Sequence, residues 1–324
     1  MPTWMLTGGA GYIGAHVTPA LAAAGHDVVV LDDLSTGVRA KVPADVPLVV
    51  ANVLDTASVE AALRQHAVTG VVHLAAKKAV GESVERPLHY WEQNVSGLGS
   101  LLTACAAAGV DRVVFSSSAA TYGMPDVDVV TEDTPPAPIS PYGETKLAGE
   151  WMVRAWAAAT GARAMSLRYF NVAGAGADHL GDTGVFNLVP LVFQALTEGA
   201  RPKVFGDDYP TPDGTCVRDY IHVVDLADAH ARAAGALEGR PDGDHTVVNV
   251  STGTGASVLE VLETVRRVTG RQFEAEVTPR RAGDPARVVG STERGAALLG
   301  WRARRDLTDM VASAWSAWTA TPRP

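Results

Sequence analysis

Residues 4–32 constrain the fold more tightly than any other stretch. Trp4-Met5-Leu6-Thr7 is an uninterrupted apolar run that reads as a buried strand, and it enters the turn Gly8-Gly9-Ala10-Gly11-Tyr12-Ile13-Gly14 directly. The pattern predicts a helix from Tyr12 to Ala24, closed by Gly25. A second strand is expected over Asp27 to Leu31, with Asp32 at its end. In such a unit Gly8 allows the tight turn, Gly11 lets the backbone approach a pyrophosphate, and Gly14 permits close helix–strand packing. The first turn of the helix then offers unpaired N–H groups to an anion. Asp32 follows Gly14 by 18 residues, so its carboxylate can accept a ribose 2′-OH and would repel a 2′-phosphate. The pattern points to NAD in preference to NADP, with Gly8, Gly11, Tyr12, Ile13, Gly14 and Asp32 as candidate contacts.

The same alternation continues down the chain. Strands are expected at Leu48–Val50, Val71–Leu74, Arg112–Phe115 and Ala164–Tyr169. Helices are expected at about Ala57–Gln65, Pro87–Ala108 and Pro141–Ala159. Apolar runs without alternation, separated by helices, mark a parallel sheet covered on both faces. Right-handed crossovers make it doubly wound. The expected class is α/β, a doubly wound parallel (Rossmann) sheet with a smaller α/β substrate-binding domain. Residues 1–175 form the cofactor domain, and 223–250 return to it as one more helix and strand. Residues 176–222 and 251–324 form the smaller domain.

Composition removes several classes. With 27 Lys and Arg against 36 Asp and Glu the net charge is −9, and no basic run is present, so nucleic acid is not an expected partner. The two Cys cannot build a disulfide framework, which fits a cytoplasmic chain. No membrane association is expected: the longest uncharged stretch, Gln93 to Val110, carries too many polar residues and glycines for a span. The nine His are scattered without a ligand spacing, so no metal is expected.

Tyr142 and Lys146 lie four apart near the start of a predicted helix and therefore share a face. Ser118 ends the run Val113-Val114-Phe115-Ser116-Ser117-Ser118, at the C-terminal end of a strand, where open α/β sheets hold their ligands. A tyrosine base working near neutral pH must lose about three pKa units, roughly 4 kcal/mol. The Lys146 ammonium and a positively charged nicotinamide together can supply that. Ser118 would hold the same substrate oxygen.

Seven stretches together carry a resemblance. They are GGAGYIG (8–14), HLAAKKAVGESVERP (73–87), FSSSAATYG (115–123), SPYGETK (140–146), LRYFNVAGA (167–175), FGDDYPTPDGTCVRDYIHVVDLADAH (205–230) and PRRAGDPAR (279–287). The chain resembles the extended short-chain dehydrogenase/reductase family, most closely its UDP-glucose (UDP-galactose) 4-epimerases. The last three stretches are the ones specific to this sugar-nucleotide branch.

The resemblance implies a resident NAD and a UDP-hexose substrate. Tyr142 would remove the 4-OH proton while hydride leaves C4, and a transient 4-keto sugar would turn over before the hydride returns. It implies cofactor contacts at Asp33, Asn52, Val53, Leu74, Ala75, Ala76, Lys78, Asn94 and Tyr169, with Tyr142 and Lys146. It assigns Lys77 to solvent. It implies substrate contacts at Ser118, Tyr142, Asn171, Asn187, Arg218 and Arg281 with Asp284, and a homodimer through the helix at 87–108. Guanidinium forks match phosphate oxygens, although Arg218 also suits a structural ion pair. Asn52 replaces a common Asp, Ala120 a common Thr and Asp33 a frequent Asn. Arg287 and Val288 put no bulky aromatic after the Arg–Asp pair, which predicts tolerance of N-acetylhexosamines. Rival readings are an epimerase for N-acetylhexosamine, uronic acid or another nucleotide base, a 4,6-dehydratase, and a non-catalytic NAD-binding sensor. Ala119-Ala120-Thr121 lacks the acid a dehydratase needs, and a sensor has no use for the Tyr–Lys pair.

Overall fold

The computed structural model describes residues 1–281 and 283–320. Elements appear in the order β1 (Thr3–Thr7), α1 (Tyr12–Ala23), β2 (Asp27–Asp32), β3 (Leu48–Val50), α2 (Thr56–Gln65), β4 (Val68–His73), α3 (Val80–Glu85), α4 (Pro87–Tyr90), α5 (Gly97–Ala108), β5 (Arg112–Ser118), α6 (Pro141–Thr160) and β6 (Arg163–Tyr169). Then follow β7 (Asn171–Ala173), α7 (Leu188–Glu198), β8 (Lys203–Phe205), β9 (Val217–His222), α8 (Val223–Ala236), β10 (His245–Val250), β11 (Gly255–Ser257), α9 (Val258–Thr269), β12 (Glu276–Thr278), β13 (Arg287–Val288), α10 (Glu293–Leu299) and α11 (Leu307–Ala320).

Seven parallel strands form the main sheet in the order β10-β6-β5-β4-β1-β2-β3. Because β1 lies between β2 and β4, the winding reverses beside it, and the crevice beyond the C-terminal ends of β1 and β4 is the expected ligand position. Both faces are buried as the strand pattern requires. Leu6, Val72, Val114, Leu167 and Val248 pack under α1 and α8, and Met5, Val71, Val113, Phe115 and Ala164 pack under α2 and α5. A smaller sheet centred on β9 takes β11 and β13, with β7 alongside, and β8 pairs with β12. Its core joins Phe193, Tyr220, Leu262, Met310 and Trp318.

The structure departs from the sequence reading at four points. The helix expected over 87–108 is broken by a π-helical segment at Trp91–Ser96. The residue-level period is blind to one wide turn. The expected boundary at 175 falls after β7, which already hydrogen-bonds to β9 in the second sheet. Residues beyond 251 also return to the first core: Leu299 and Trp301 pack with α8, and Trp301 Nε1 donates to Asp225 O at 3.1 Å. The fourth strand ends at His73, so Leu74 already belongs to the following loop.

Four histidines, three buried and His245 half-buried, are held in the neutral form by desolvation: His73 at about 3, and His222, His230 and His245 at about 4. His230 shows the geometry, with Nδ1 2.9 Å from Leu226 O and Nε2 2.9 Å from Ser116 Oγ. In the unfolded chain these rings regain an ordinary pKa near 6.5. Stability is therefore complete above about 6.5 and falls as pH drops toward the folded values, by roughly 1.4 kcal/mol per pH unit per imidazole. Urea unfolding at pH 7, 6 and 5 should show this decline, and His230→Asn should flatten it by about one proton. A pH-independent midpoint over that range would contradict the account.

Candidate active site

The turn after β1 depends on backbone approach. Gly8 has φ +74°, and a Cβ there would lie 2.8 Å from Ala75 N. A Cβ on Gly14 would lie 2.3 Å from Gly8 O. Gly11 caps α1 with no side-chain hydrogen bond, so the first-turn N–H groups suit an anion. Tyr12 turns its hydroxyl the other way, donating to Gly174 O, and Ile13 packs on the core. These glycine contacts are the close cradle that a bound dinucleotide requires.

Asp32 is buried at the end of β2, where Oδ2 accepts Ala10 N at 3.0 Å and Oδ1 accepts Leu34 N at 2.9 Å. Burial raises its pKa and these two amides lower it in part. Leu34 itself adopts the left-handed backbone conformation, with φ +57°. Asp33 is exposed. Burial raises its carboxyl, but hydrogen bonds from Ser35 and Asn52 outweigh it and hold the group below the ordinary range. Asn52 uses both ends of its amide on the protein: Nδ2 donates to Asp33 Oδ2 at 2.8 Å and Oδ1 accepts Leu54 N at 2.9 Å. Val53 is buried against Gly97.

The loop after β4 is strapped at several points. Leu74 N donates to Thr7 O at 3.1 Å and Ala75 N to Thr7 Oγ1 at 3.4 Å, with Ala76 following. Asn94 sits in the π segment, 4% exposed, where Oδ1 accepts Lys77 N at 2.8 Å and Nδ2 donates to Lys77 O and Thr145 Oγ1, both at 3.0 Å. Asn94 thus clamps the loop to α6. Lys78 is exposed, whereas Lys77, assigned to solvent from the sequence, is half-buried and its charge reaches Asp33.

Ser140 caps α6 by accepting Gly143 N at 3.2 Å, and Pro141 starts the helix. A Cβ on Gly143 would lie 2.6 Å from Ala120 O, so only glycine lets the helix start reach the end of β5. This brings Tyr142 to the Ser118 hydroxyl. Burial raises the Tyr142 phenol and the Ser118 hydrogen bond lowers it in part. Lys146, one turn on, is 3% exposed; its Nζ donates to Ser116 O at 2.8 Å and lies 5.9 Å from the Tyr142 ring centre. Burial pulls Lys146 down to about 8, with Glu150 opposing. The ammonium therefore persists at pH 7. Tyr169 ends β6, its ring centre 6.1 Å from that of His230.

The sequence reading missed Glu150 and Arg168. They form a buried bidentate pair, with Nε to Oε1 at 2.8 Å and Nη2 to Oε2 at 2.6 Å, and Ser117 Oγ also donates to Oε1. Arg168 also stacks on Tyr122 at 4.7 Å. Glu150 follows Lys146 by four residues on the same helix face, the one signal that would have flagged it.

The proposed phosphate and sugar contacts are gathered on the second sheet and its loops. Asn171 Nδ2 donates to Asp219 O at 3.1 Å, and Asn187 caps α7 without a side-chain bond. Arg218 is ion-paired with Asp284 and also donates to Val217 O at 2.8 Å. Arg281 stacks on Phe205, its guanidinium carbon 3.7 Å from the ring centre. Asp219 is buried and pushed up to about 6, although Thr252 N and Oγ1, Gly253 N and Gly290 N all donate to it. Among the described residues, no group of three or more His, Cys, Asp or Glu could hold a metal ion.

Residues 4–250 match the model of the NAD dependent epimerase/dehydratase family. A UDP-glucose 4-epimerase from Corynebacterium glutamicum is 49% identical over 317 residues, 96% of this chain and 94% of that protein. The crystal structure of a UDP-glucose 4-epimerase from Stenotrophomonas maltophila, with bound NAD and formylated UDP-arabinopyranose, matches with a TM-score of 0.95 at 39% identity, covering 99% of this chain and 98% of that one. That of the UDP-glucose 4-epimerase from Brucella ovis in complex with NAD matches with a TM-score of 0.92 at 40% identity, covering 97% of each chain.

Glu150→Ala leaves the Arg168 guanidinium buried without its carboxylate. It should cost about 3–5 kcal/mol, read by urea unfolding, while the double variant Glu150→Ala/Arg168→Met should recover a large part of that loss.

Proposed function

This chain belongs to the NAD dependent epimerase/dehydratase family, and we propose that it interconverts UDP-glucose and UDP-galactose at C4 through a transient 4-keto sugar. The observation that carries the reading is the buried Tyr142–Lys146 pair with Ser118 at the C-terminal edge of the sheet. The near full-length identity to UDP-glucose 4-epimerases supports it. The glycine turn and Asp32 fit NAD, held by Gly8, Gly11, Tyr12, Ile13, Gly14, Asp32 and the loop of Leu74, Ala75 and Ala76. When bound, NAD supplies a reversible hydride acceptor.

The chain's own residues handle the proton. Tyr142 takes it from the sugar 4-hydroxyl, and Ser118 donates a hydrogen bond to the same oxygen. Burial alone opposes a Tyr142 phenolate, so the Lys146 ammonium is needed to favour it. Both faces of the keto sugar must be accepted, so binding rests on the UDP end, assigned to Asn171, Asn187, Arg218 and Arg281 with Asp284. Residues 1–175 with 223–250 serve the cofactor, and 176–222 with 251–324 serve the sugar nucleotide, with β7 bridging them. Val288 is buried and Arg287 Nε donates to Asp128 O at 3.1 Å, which favours room for an N-acetyl group.

The same reading includes a homodimer and a cytoplasmic location. Leu88, Trp91 and Trp151 expose large apolar surface on α4, the π segment and α6, which pack against one another. Among the described residues no helix is long and apolar enough to cross a membrane.

Incubation with UDP-galactose, without added NAD, should yield UDP-glucose, and UDP-N-acetylglucosamine should also turn over. Tyr142→Phe should lower turnover by about 10²–10⁴-fold. A 4-keto-6-deoxy product would instead mark a dehydratase, and a Tyr142→Phe protein with unchanged ligand response would mark a sensor. Sedimentation should give twice the chain mass, and Leu88→Glu should reduce it to one chain.

A further inference from the structure

Among the buried imidazoles that the mechanism leaves unused are His16 on α1 and His222 at the end of β9. Both stand where the segment joining β7 to α7 begins. Three consecutive residues of that segment are tied down. Gly174 O accepts the Tyr12 hydroxyl, Ala175 N donates to Ser313 Oγ at 3.2 Å, and Gly176 N donates to His16 Nε2 at 2.8 Å. His222 Nε2 lies 3.0 Å from the same Ser313 Oγ. Further along, Lys41 Nζ donates to Gly181 O at 2.7 Å and Ser316 Oγ to Asp178 Oδ1 at 2.7 Å. The segment is thus held between the cofactor half and α11.

The chemistry at His16 permits one protonation state. Its Nδ1 lies 2.8 Å from Tyr12 O and its Nε2 faces the Gly176 amide. A carbonyl only accepts and an amide only donates, so the ring must carry its proton on Nδ1 and leave Nε2 bare. An imidazolium would set N–H against N–H. The segment approaches the ring closely: a Cβ on Gly176 would lie 2.9 Å from His16 Cδ2, and the Tyr12 ring meets it edge-on with centres 5.6 Å apart.

We propose that His16 is a positioning residue: as a neutral acceptor of the Gly176 amide it docks the 174–182 segment on the helix that carries the dinucleotide turn, fixing the sugar-nucleotide half against the cofactor half. This rests on the function proposed above, because the segment is bracketed by Asn171 and Asn187, both assigned there to the substrate. The titratable and charged groups facing His16 are Tyr12 on its own helix, Lys41 from the 3-10 turn at Arg39–Lys41, His179 from the segment itself and His222 from β9. Burial lowers its pKa, the Tyr12 carbonyl opposes this, and Lys41 and His179 add to the lowering. The docked form is therefore complete at and above neutral pH and fails on acidification below the ordinary histidine range.

The test compares wild type, His16→Ala and His16→Gln, each with its resident cofactor. Gln places an acceptor where Nε2 stood and does not titrate. His16→Ala should lower kcat/KM for UDP-galactose by about 10-fold or more, with NAD content per chain unchanged. His16→Gln should stay close to wild type and lose the acid limb of the pH–activity profile. Amide exchange over 174–182 should speed up in His16→Ala and slow again in His16→Gln. A His16→Ala enzyme equal to wild type, or an acid limb unchanged in His16→Gln, overturns the proposal. If the Ala variant does not fold, the Gln profile and its exchange decide. If wild type shows no epimerisation at all, the functional reading fails, and exchange alone still tests the docking.

Discussion

The structure turns on one close approach. The Gly8 backbone passes the Ala75 backbone so tightly that a single Cβ would lie 2.8 Å from the Ala75 amide. That contact sets β1 beside the loop after β4 at the point where the winding reverses. It also lets Gly14 press α1 onto the turn. Once α1 is aimed this way, its first two turns look in two directions. Its amides face the crevice, and Tyr12 and His16 face the segment after β7. The dinucleotide turn and the border of the second sheet are therefore parts of one packing problem.

The electrostatics follow from burial at the same edge. Desolvation raises Tyr142 and lowers Lys146, so each is pushed toward its neutral form. The Glu150 carboxylate one turn beyond opposes this for Lys146, and Arg168 neutralises Glu150 in turn. The row Tyr142, Lys146, Glu150, Arg168 alternates a proton donor, a cation, an anion and a cation across α6 and β6. A buried charge needs such partners, so the ion pair behind the site is the condition for a charged Lys146 within it.

Much of this was legible in the chain. The β–α alternation, the glycine spacing and Asp32 depend on local period and turn chemistry, and the elements fall within a few residues of expectation. Tyr142 and Lys146 were legible because four residues is one helical turn. Glu150 and Arg168 were not, because Arg168 sits inside an apolar strand and its partner arrives from another element. The π segment was illegible because one inserted residue leaves the apolar pattern intact on either side. That Lys77 is the neighbour whose charge reaches Asp33 was not legible, because it depends on the Asn94 clamp across the loop. The split between the two halves was drawn by sequence position, whereas β7 and Trp301 cross it by packing.

The net charge of −9 sharpens the question of how an anion is held. Arg218 already has a carboxylate partner in Asp284, and Arg281 lies on the Phe205 face. On the function proposed above, a diphosphate at Arg218 would meet a guanidinium that already has an anionic partner. Binding to a guanidinium so paired contributes less net affinity than binding to a bare one. The pair also keeps that guanidinium extended and desolvated in advance, which lowers the ordering cost of binding. An acidic protein that must hold its substrate by the nucleotide end while the sugar turns gains from this arrangement. On that reading the tether is preorganised, and its strength is moderated by the carboxylate already paired with it.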